Sequence, residues 1–237
     1  MLPYNTILVY SFSKLYGVTG WRVGLIAMNR NNICDHLLGD LPEVDKAFLR
    51  QEYSIVTTDS DSMPFLERVV ADSRSIGLYH TSGLSTLSQV FMDMLALSHL
   101  VYVAKGEEDP YIRLANDTVH ERYEALMKAL GLAMDECATN TQYYTLIDVY
   151  DLVKAKYGED FLRWLQTEKT DLDLLNDLAR RKGVVLMYGP GFKAPAGTVR
   201  ISLANLNTED YTEIAKRLFE LLDEYLGESG IGLANAA

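Results

Sequence analysis

Two short apolar runs near the start of the chain, residues 6–10 and 23–28, bracket a stretch of hydroxyls, glycines, one amine and one guanidinium: Ser11-Phe12-Ser13-Lys14-Leu15-Tyr16-Gly17-Val18-Thr19-Gly20-Trp21-Arg22. Apolar runs this short, rich in β-branched and aromatic residues, read as buried strands, because helices need longer segments. Reactive polar groups are therefore expected at strand ends, on a rigid part of the fold. Further along, helical periodicity alternates with other short apolar runs. That pattern gives an α/β class: a small sheet covered by helices on one side.

The elements follow from caps and breakers. Asn29-Arg30-Asn31-Asn32 is a turn with good N-cap residues before a helix over 33–38; residues 39–42 interrupt it, and 43–52 continue with helical spacing. A loop over 57–62 leads into a helix at 64–74 with proline in its first turn. Residues 73–84 are polar, glycine-broken and unlike a plain helix. Residues 86–103 form a long helix, apolar around much of its girth, which is expected to be buried between layers or subunits. Met92 and Met94 on it read as packing. Glu107-Glu108-Asp109-Pro110 opens the next helix, over 112–130, with acidic residues at its positive end. The domain boundary is placed near Gly106. The remainder reads as a strand at 142–149, helices at 151–158, 160–169 and 171–182 with Gly183 as the terminating glycine, and a strand at 184–188. A Gly189-Pro190-Gly191 turn, a strand at 198–203, a helix at 208–226 and a mobile small-residue tail complete it.

The polar stretch has a chemical logic. A lysine that forms a Schiff base needs its amine partly unprotonated and aimed at a carbonyl carbon, and Lys14 is the candidate. Ser11 and Arg22 add a neutral donor and a bidentate cation, the combination that grips a phosphate. One ligand carries both an aldehyde and a phosphate: pyridoxal 5'-phosphate. The competing account is a surface lysine beside a core arginine, which an isolated S-x-x-K motif could not exclude.

The whole string, S-F-S-K followed by G-W-R-V-G-L-I-A, resembles the Schiff-base segment of fold-type-I pyridoxal-phosphate enzymes, the aspartate aminotransferase superfamily. Its phrasing is most similar to the bifunctional aspartate aminotransferase/aspartate 4-decarboxylase branch. The resemblance implies that Lys14 is the Schiff-base lysine, that Ser11, Ser13 and Arg22 help hold the cofactor, and that Lys14 moves a proton at the substrate. It continues at Thr198-Val199-Arg200-Ile201-Ser202-Leu203-Ala204, where Arg200 corresponds to the arginine that binds the substrate α-carboxylate. Alternation along this strand puts Arg200 on the face opposite Val199, Ile201 and Leu203.

Aspartate has a second carboxylate, and the resemblance makes Arg74, just before His80-Thr81-Ser82-Gly83-Leu84-Ser85, the candidate cation for it. The alternative is a surface arginine capping a helix C-terminus. Ser85 and Thr86 serve either a phosphate or simply as helix caps. The implied fold is the last strands of the large cofactor domain with the interdomain helix, residues 1–105, and the α/β small C-terminal domain, residues 106–237. Members of the family are longer, with the lysine past the midpoint. The resemblance therefore implies that this 237-residue chain is a C-terminal part, inactive by itself.

The implied partners are amino acids and 2-oxo acids, and a second copy of the chain in a homo-oligomer. Two other readings stay open: an aminotransferase of other specificity, and an inactive folding or assembly module. A formal net charge of −11 with scattered positives argues against nucleic acid and anionic membranes. No apolar run is expected to reach membrane-spanning length, and no signal peptide is visible. Cys34 and Cys137 read as reduced packing thiols of a cytoplasmic protein, and the dispersed histidines predict no metal site.

Overall fold

The computed structural model describes residues 3–76, 85–137 and 139–232. The fold is mixed α/β, as the alternating pattern predicts. The chain divides into two compact units, residues 1–112 and 113–237.

The first unit opens with an antiparallel hairpin, β1 (Ile7–Ser11) and β2 (Gly24–Met28), in a register from Ile7↔Met28 to Ser11↔Gly24. Its strands fall where the apolar runs place them, but they are not buried. Every β1 residue is exposed, Val9 at 73%, as are the first three residues of β2. A two-stranded ribbon has two faces, and burying either requires a further layer, which no described residue supplies.

Asn32 is buried and caps α1 (Ile33–Gly39) by accepting the Asp35 N–H at 2.9 Å. Two more helices follow, α2 (Glu43–Glu52) and α3 (Phe65–Ile76). The latter runs two residues into the stretch expected to be irregular; residues 77–84, including His80 to Leu84, lie outside the described residues. Ser85 then caps α4 (Thr86–Lys105), accepting the Ser88 N–H at 3.2 Å, which is the helix-cap alternative for this hydroxyl.

Within the described residues of its own unit α4 lacks the covering layer expected of an apolar helix, and one expectation about its length is corrected. It buries only Met92, while Met94 is 59% exposed, so its apolar girth is unmatched within its own unit. At twenty residues it is also long and apolar enough to cross a membrane by length and composition, although Asp93 and Lys105 interrupt it. The next helix, α5 (Pro110–Leu130), carries the chain from the first unit into the second.

The second unit packs β3 (Tyr144–Asp148), β4 (Met187–Tyr188) and β5 (Thr198–Ser202) into an antiparallel sheet with β5 central. Around it stand α6 (Val149–Tyr157), α7 (Glu159–Glu168), α8 (Asp171–Lys182) and α9 (Thr208–Ser229). The core gathers Val199, Ile201 and Leu203 from the strand with Ile147, Phe161, Leu165, Tyr211, Leu218 and Tyr225. Helix α8 starts at a capping box between Thr170 and Asp173 and ends at Gly183, whose φ of +68° suits the terminating glycine. The strand expected over 184–188 shortens to two residues. Helix α9 continues past 226 through Ser229, so the expected tail begins later. Gly189 has no room for a side chain: a Cβ there would stand 2.5 Å from the Thr198 carbonyl oxygen, so the glycine of this turn serves close packing on β5.

Three tyrosines fasten this unit by donating to carboxylates: Tyr150 to Asp171 and Tyr157 to Asp223, both at 2.6 Å, and Tyr225 to Asp177 at 2.7 Å. Burial, reinforced by the adjacent carboxylate, pushes each phenol well above its ordinary value of 10. In the unfolded chain these phenols ionise near pH 10, whereas in the fold they stay protonated. Their stabilisation is therefore complete below pH 10 and is lost as pH rises above it. The unfolding free energy of this unit should fall by about 1.4 kcal/mol per pH unit for each phenol. Denaturant titrations between pH 9 and 12 measure that slope, and Tyr225→Phe should reduce it by one phenol's share.

Candidate functional site

The residues singled out around Lys14 form the connection between β1 and β2. The Phe12 N–H donates to the Val23 carbonyl at 3.3 Å, closing the base of the loop as a continuation of the ladder. The Tyr16 N–H donates to the Phe12 carbonyl at 3.2 Å, winding residues 12–16 into a turn, and Thr19–Trp21 makes a 3-10 turn closed by the Trp21 N–H on Val18 at 3.0 Å.

Side chains anchor the loop from beneath. Tyr16, Val18 and Val23 are buried with Met92 of α4, and Phe12, Leu15, Leu95 and Ile112 pack against them. The Phe12 and Tyr16 rings stack at 5.8 Å. Tyr111, at the start of α5, donates its hydroxyl to the Tyr16 carbonyl at 2.6 Å. Burial, with the Asp109 charge adding to it, raises the Tyr16 phenol.

Within this anchored loop Ser13 is buried and Lys14 exposed. Ser11 accepts the Ser13 N–H on its Oγ at 3.3 Å. Arg22 is exposed, donates to the Thr19 carbonyl at 3.2 Å, and holds a left-handed backbone at φ 53°, ψ 48°. That conformation reverses the chain just before β2, where Gly24 is required by contact. A Cβ at Gly24 would stand 2.6 Å from the Tyr10 carbonyl oxygen. Gly24→Ala should therefore destabilise the first unit by about 1–3 kcal/mol, read by denaturant unfolding. Gly39→Ala, where a Cβ meets nothing within 4 Å, is the control.

Arg74 is exposed in the last turn of α3, the position at which a cation also favours a helix C-terminus. Arg200 belongs to the second unit. It is half-buried at the middle of β5, between Leu146 and Met187 in register, with Val199 and Ile201 turned into the core on the other face. Its Cζ lies 3.8 Å from the Tyr144 ring centroid and 4.0 Å from that of Phe192. Ser11, Ser13, Lys14 and Arg22 are thus brought together on one connection, Arg74 sits on a helix of the same unit, and Arg200 lies on the sheet of the other. Tyr111 and Tyr144 had no role assigned from sequence, and the turn that carries Phe192 was open to two readings, a loop facing a substrate cleft or a plain glycine-proline turn. The contacts of these three rings join residues up to 95 positions apart, for which single-chain patterning carries no signal.

Cys137 departs from the packing role expected of it. It is exposed, and the Thr139 hydroxyl 3.1 Å from its Sγ holds the thiol below its ordinary range. Cys34 is half-buried.

An amine, two hydroxyls and a guanidinium on one loop are a donor set suited to an aldehyde and a phosphate on the same molecule, and the exposed Lys14 and Arg22 leave these groups accessible. By donor chemistry, the residues present fit pyridoxal phosphate.

This segment has a family match. Residues 3–50, which include the hairpin and its connection, match the family described as aminotransferase class I and II. The chain is also 40% identical over 222 residues, 94% of its length, to a protein of Pseudomonas sp named bifunctional aspartate aminotransferase and L-aspartate beta-decarboxylase. The chain is thus similar to aminotransferases of class I and II over residues 3–50 and to part of that relative over most of its own length. The chain spans 41% of the length of that relative.

Proposed function

We propose that this chain is the C-terminal part of a pyridoxal-phosphate enzyme acting on L-aspartate, by transamination, by 4-decarboxylation to L-alanine and CO2, or both. The observation that carries this reading is the loop at Lys14. Its flanking residues Ser13, Tyr16, Val18 and Val23 are buried while Lys14 is an exposed residue, so a reactive side chain is held on a fixed backbone. The name of the 40% identical relative supports the substrate.

In this reading Lys14 would attach the cofactor through its aldehyde, Ser11 and Arg22 would hold the phosphate, and Ser13 would help hold the cofactor. Arg200 takes the substrate α-carboxylate and Arg74 the distal one. The bound cofactor supplies a protonated ring that draws off the electron pair left at Cα. With substrate bound, the free Lys14 amine would take the proton from Cα and hold it for return to the reacting centre. The fate of the distal carboxylate depends on how firmly Arg74 holds it and how well water is excluded. Loss of CO2 would break the Cβ–Cγ bond, its electron pair being taken up by the bound cofactor and replaced at Cβ by a proton on the way to L-alanine; with the carboxylate retained, water would release oxaloacetate while the amino nitrogen stays with the cofactor. Residues 1–105 belong, on this reading, to the large cofactor domain and 106–237 to the small domain of a cytoplasmic homo-oligomer.

The test is an absorbance spectrum with added pyridoxal phosphate, then borohydride reduction and peptide mapping. A single adduct on Lys14 is expected. Labelling scattered over surface lysines would instead make the chain an assembly module. Specificity is tested by Arg74→Ala in the holoenzyme, which should raise KM for aspartate about tenfold or more while leaving monocarboxylate amino acids nearly unchanged. Equal losses for both would remove Arg74 from this role.

A further inference from the structure

The arginines of the second unit differ in how they are satisfied. Arg181 pairs with Asp177, Glu224 and Glu228; Arg217 pairs with Glu213 and donates to the Lys182 carbonyl; Arg163 pairs with Asp160; Arg122 donates to the Leu203 carbonyl. Arg200, like the exposed Arg113 and Arg180, has no such partner among the described residues. Among the described residues it donates no hydrogen bond and forms no ion pair, yet it is half-buried and its Cζ lies close to two aromatic rings. A guanidinium carries five N–H donors in its own plane. With two rings within about 4 Å of its Cζ, its N–H edges are the part through which it can meet a ligand.

We infer that Tyr144 and Phe192 are positioning residues for carboxylate recognition, a clamp that fixes the plane of the Arg200 guanidinium before the ligand arrives. This rests on the reading of Arg200 as the α-carboxylate arginine. Both rings precede Arg200 in the sequence, Tyr144 on the neighbouring strand β3 and Phe192 in the turn that precedes β5. Each attracts the cation through its face and keeps water from it. The half-exposed Leu146 and Met187, the cross-strand neighbours of Arg200, make the surrounding floor apolar. Holding the guanidinium in one plane removes rotational freedom that binding would otherwise cost, and presents a fork matched to the two oxygens of a planar carboxylate. A lysine, with a point charge and no plane, cannot be clamped in this way.

The test measures succinate binding to the holoenzyme by titration calorimetry, beside steady-state kinetics with aspartate. Phe192→Leu and Tyr144→Leu should each weaken succinate binding and raise KM about five- to tenfold, with kcat changed less than about twofold. Phe192→Trp, which restores an aromatic face, should bind succinate like the wild type. The Phe192 ring is 46% exposed, so its removal should leave the thermal unfolding midpoint unchanged. If Arg200→Ala abolishes succinate binding while Phe192→Leu and Tyr144→Leu bind normally, the clamp is overturned and the carboxylate role stands. The same holds if Phe192→Leu is weakened but Phe192→Trp is equally weak. If the wild type fails to bind succinate, or Arg200→Ala binds it as well as the wild type, the reading of Arg200 itself falls and the clamp falls with it.

Discussion

Replacing Lys14 by arginine should give a holoenzyme preparation with no borohydride-trapped adduct and at least about a thousandfold less activity. Arginine keeps the positive charge and the reach but stays protonated, so it neither attacks an aldehyde nor carries a proton at the substrate. The loop should survive the change. It is held by the Phe12 to Val23 ladder bond, by the burial of Tyr16, Val18 and Val23, and by the Tyr111 hydroxyl, none of which involves the Lys14 side chain. Circular dichroism and unfolding should accordingly match the wild type, and cofactor held without a covalent link should be removable by dialysis. An arginine variant that still traps cofactor at a single lysine would move the attachment site elsewhere in the chain.

The second large effect is on stability. Phe161 on α7 is fully buried, stacks on Trp164 at 5.8 Å and meets Tyr157 edge-on at 5.3 Å. Phe161→Ala removes most of a ring from a close-packed core, and the lost transfer energy and the cavity together cost about 3–5 kcal/mol. For a unit of this size the unfolding midpoint should drop on the order of 10 °C. A loss below about 1 kcal/mol would mean that the neighbouring helices collapse into the space. Because β5 is the central strand of the same core, loosening it should also weaken whatever Arg200 holds, in proportion to the population unfolded.

Much of the candidate site was legible in the chain itself. The hydroxyl, amine, glycine and guanidinium string located the loop, because the chemistry depends on residue type and spacing. Gly24 shows the same legibility from another side: it is where a strand carbonyl approaches too closely for any Cβ. Period two put Arg200 opposite Val199 and Ile201, and the structure keeps it there.

Burial was less legible. Residues 6–10, 23–28 and the apolar helix α4 are hydrophobic, but hydrophobicity is a property of a residue and burial a relation to a second layer. In the first unit most of these side chains stay exposed, Val9 and Leu97 among them. In the second unit, where strands β3 and β5 and helices α5 to α9 share one core, the same kind of pattern is buried.

The sequence by itself pointed to which residues can carry chemistry, to the order and approximate place of the strands and helices, and to which side of β5 faces outward, since these follow from local spacing, capping and alternation. Only the tertiary structure decided that Tyr111 ties down Tyr16 from far along the chain, that Cys137 is exposed beside Thr139, and that Tyr144 and Phe192 enclose Arg200. Those contacts arise when distant segments are brought within a few ångströms by the burial of other residues, so nothing in the spacing of the participants foretells them.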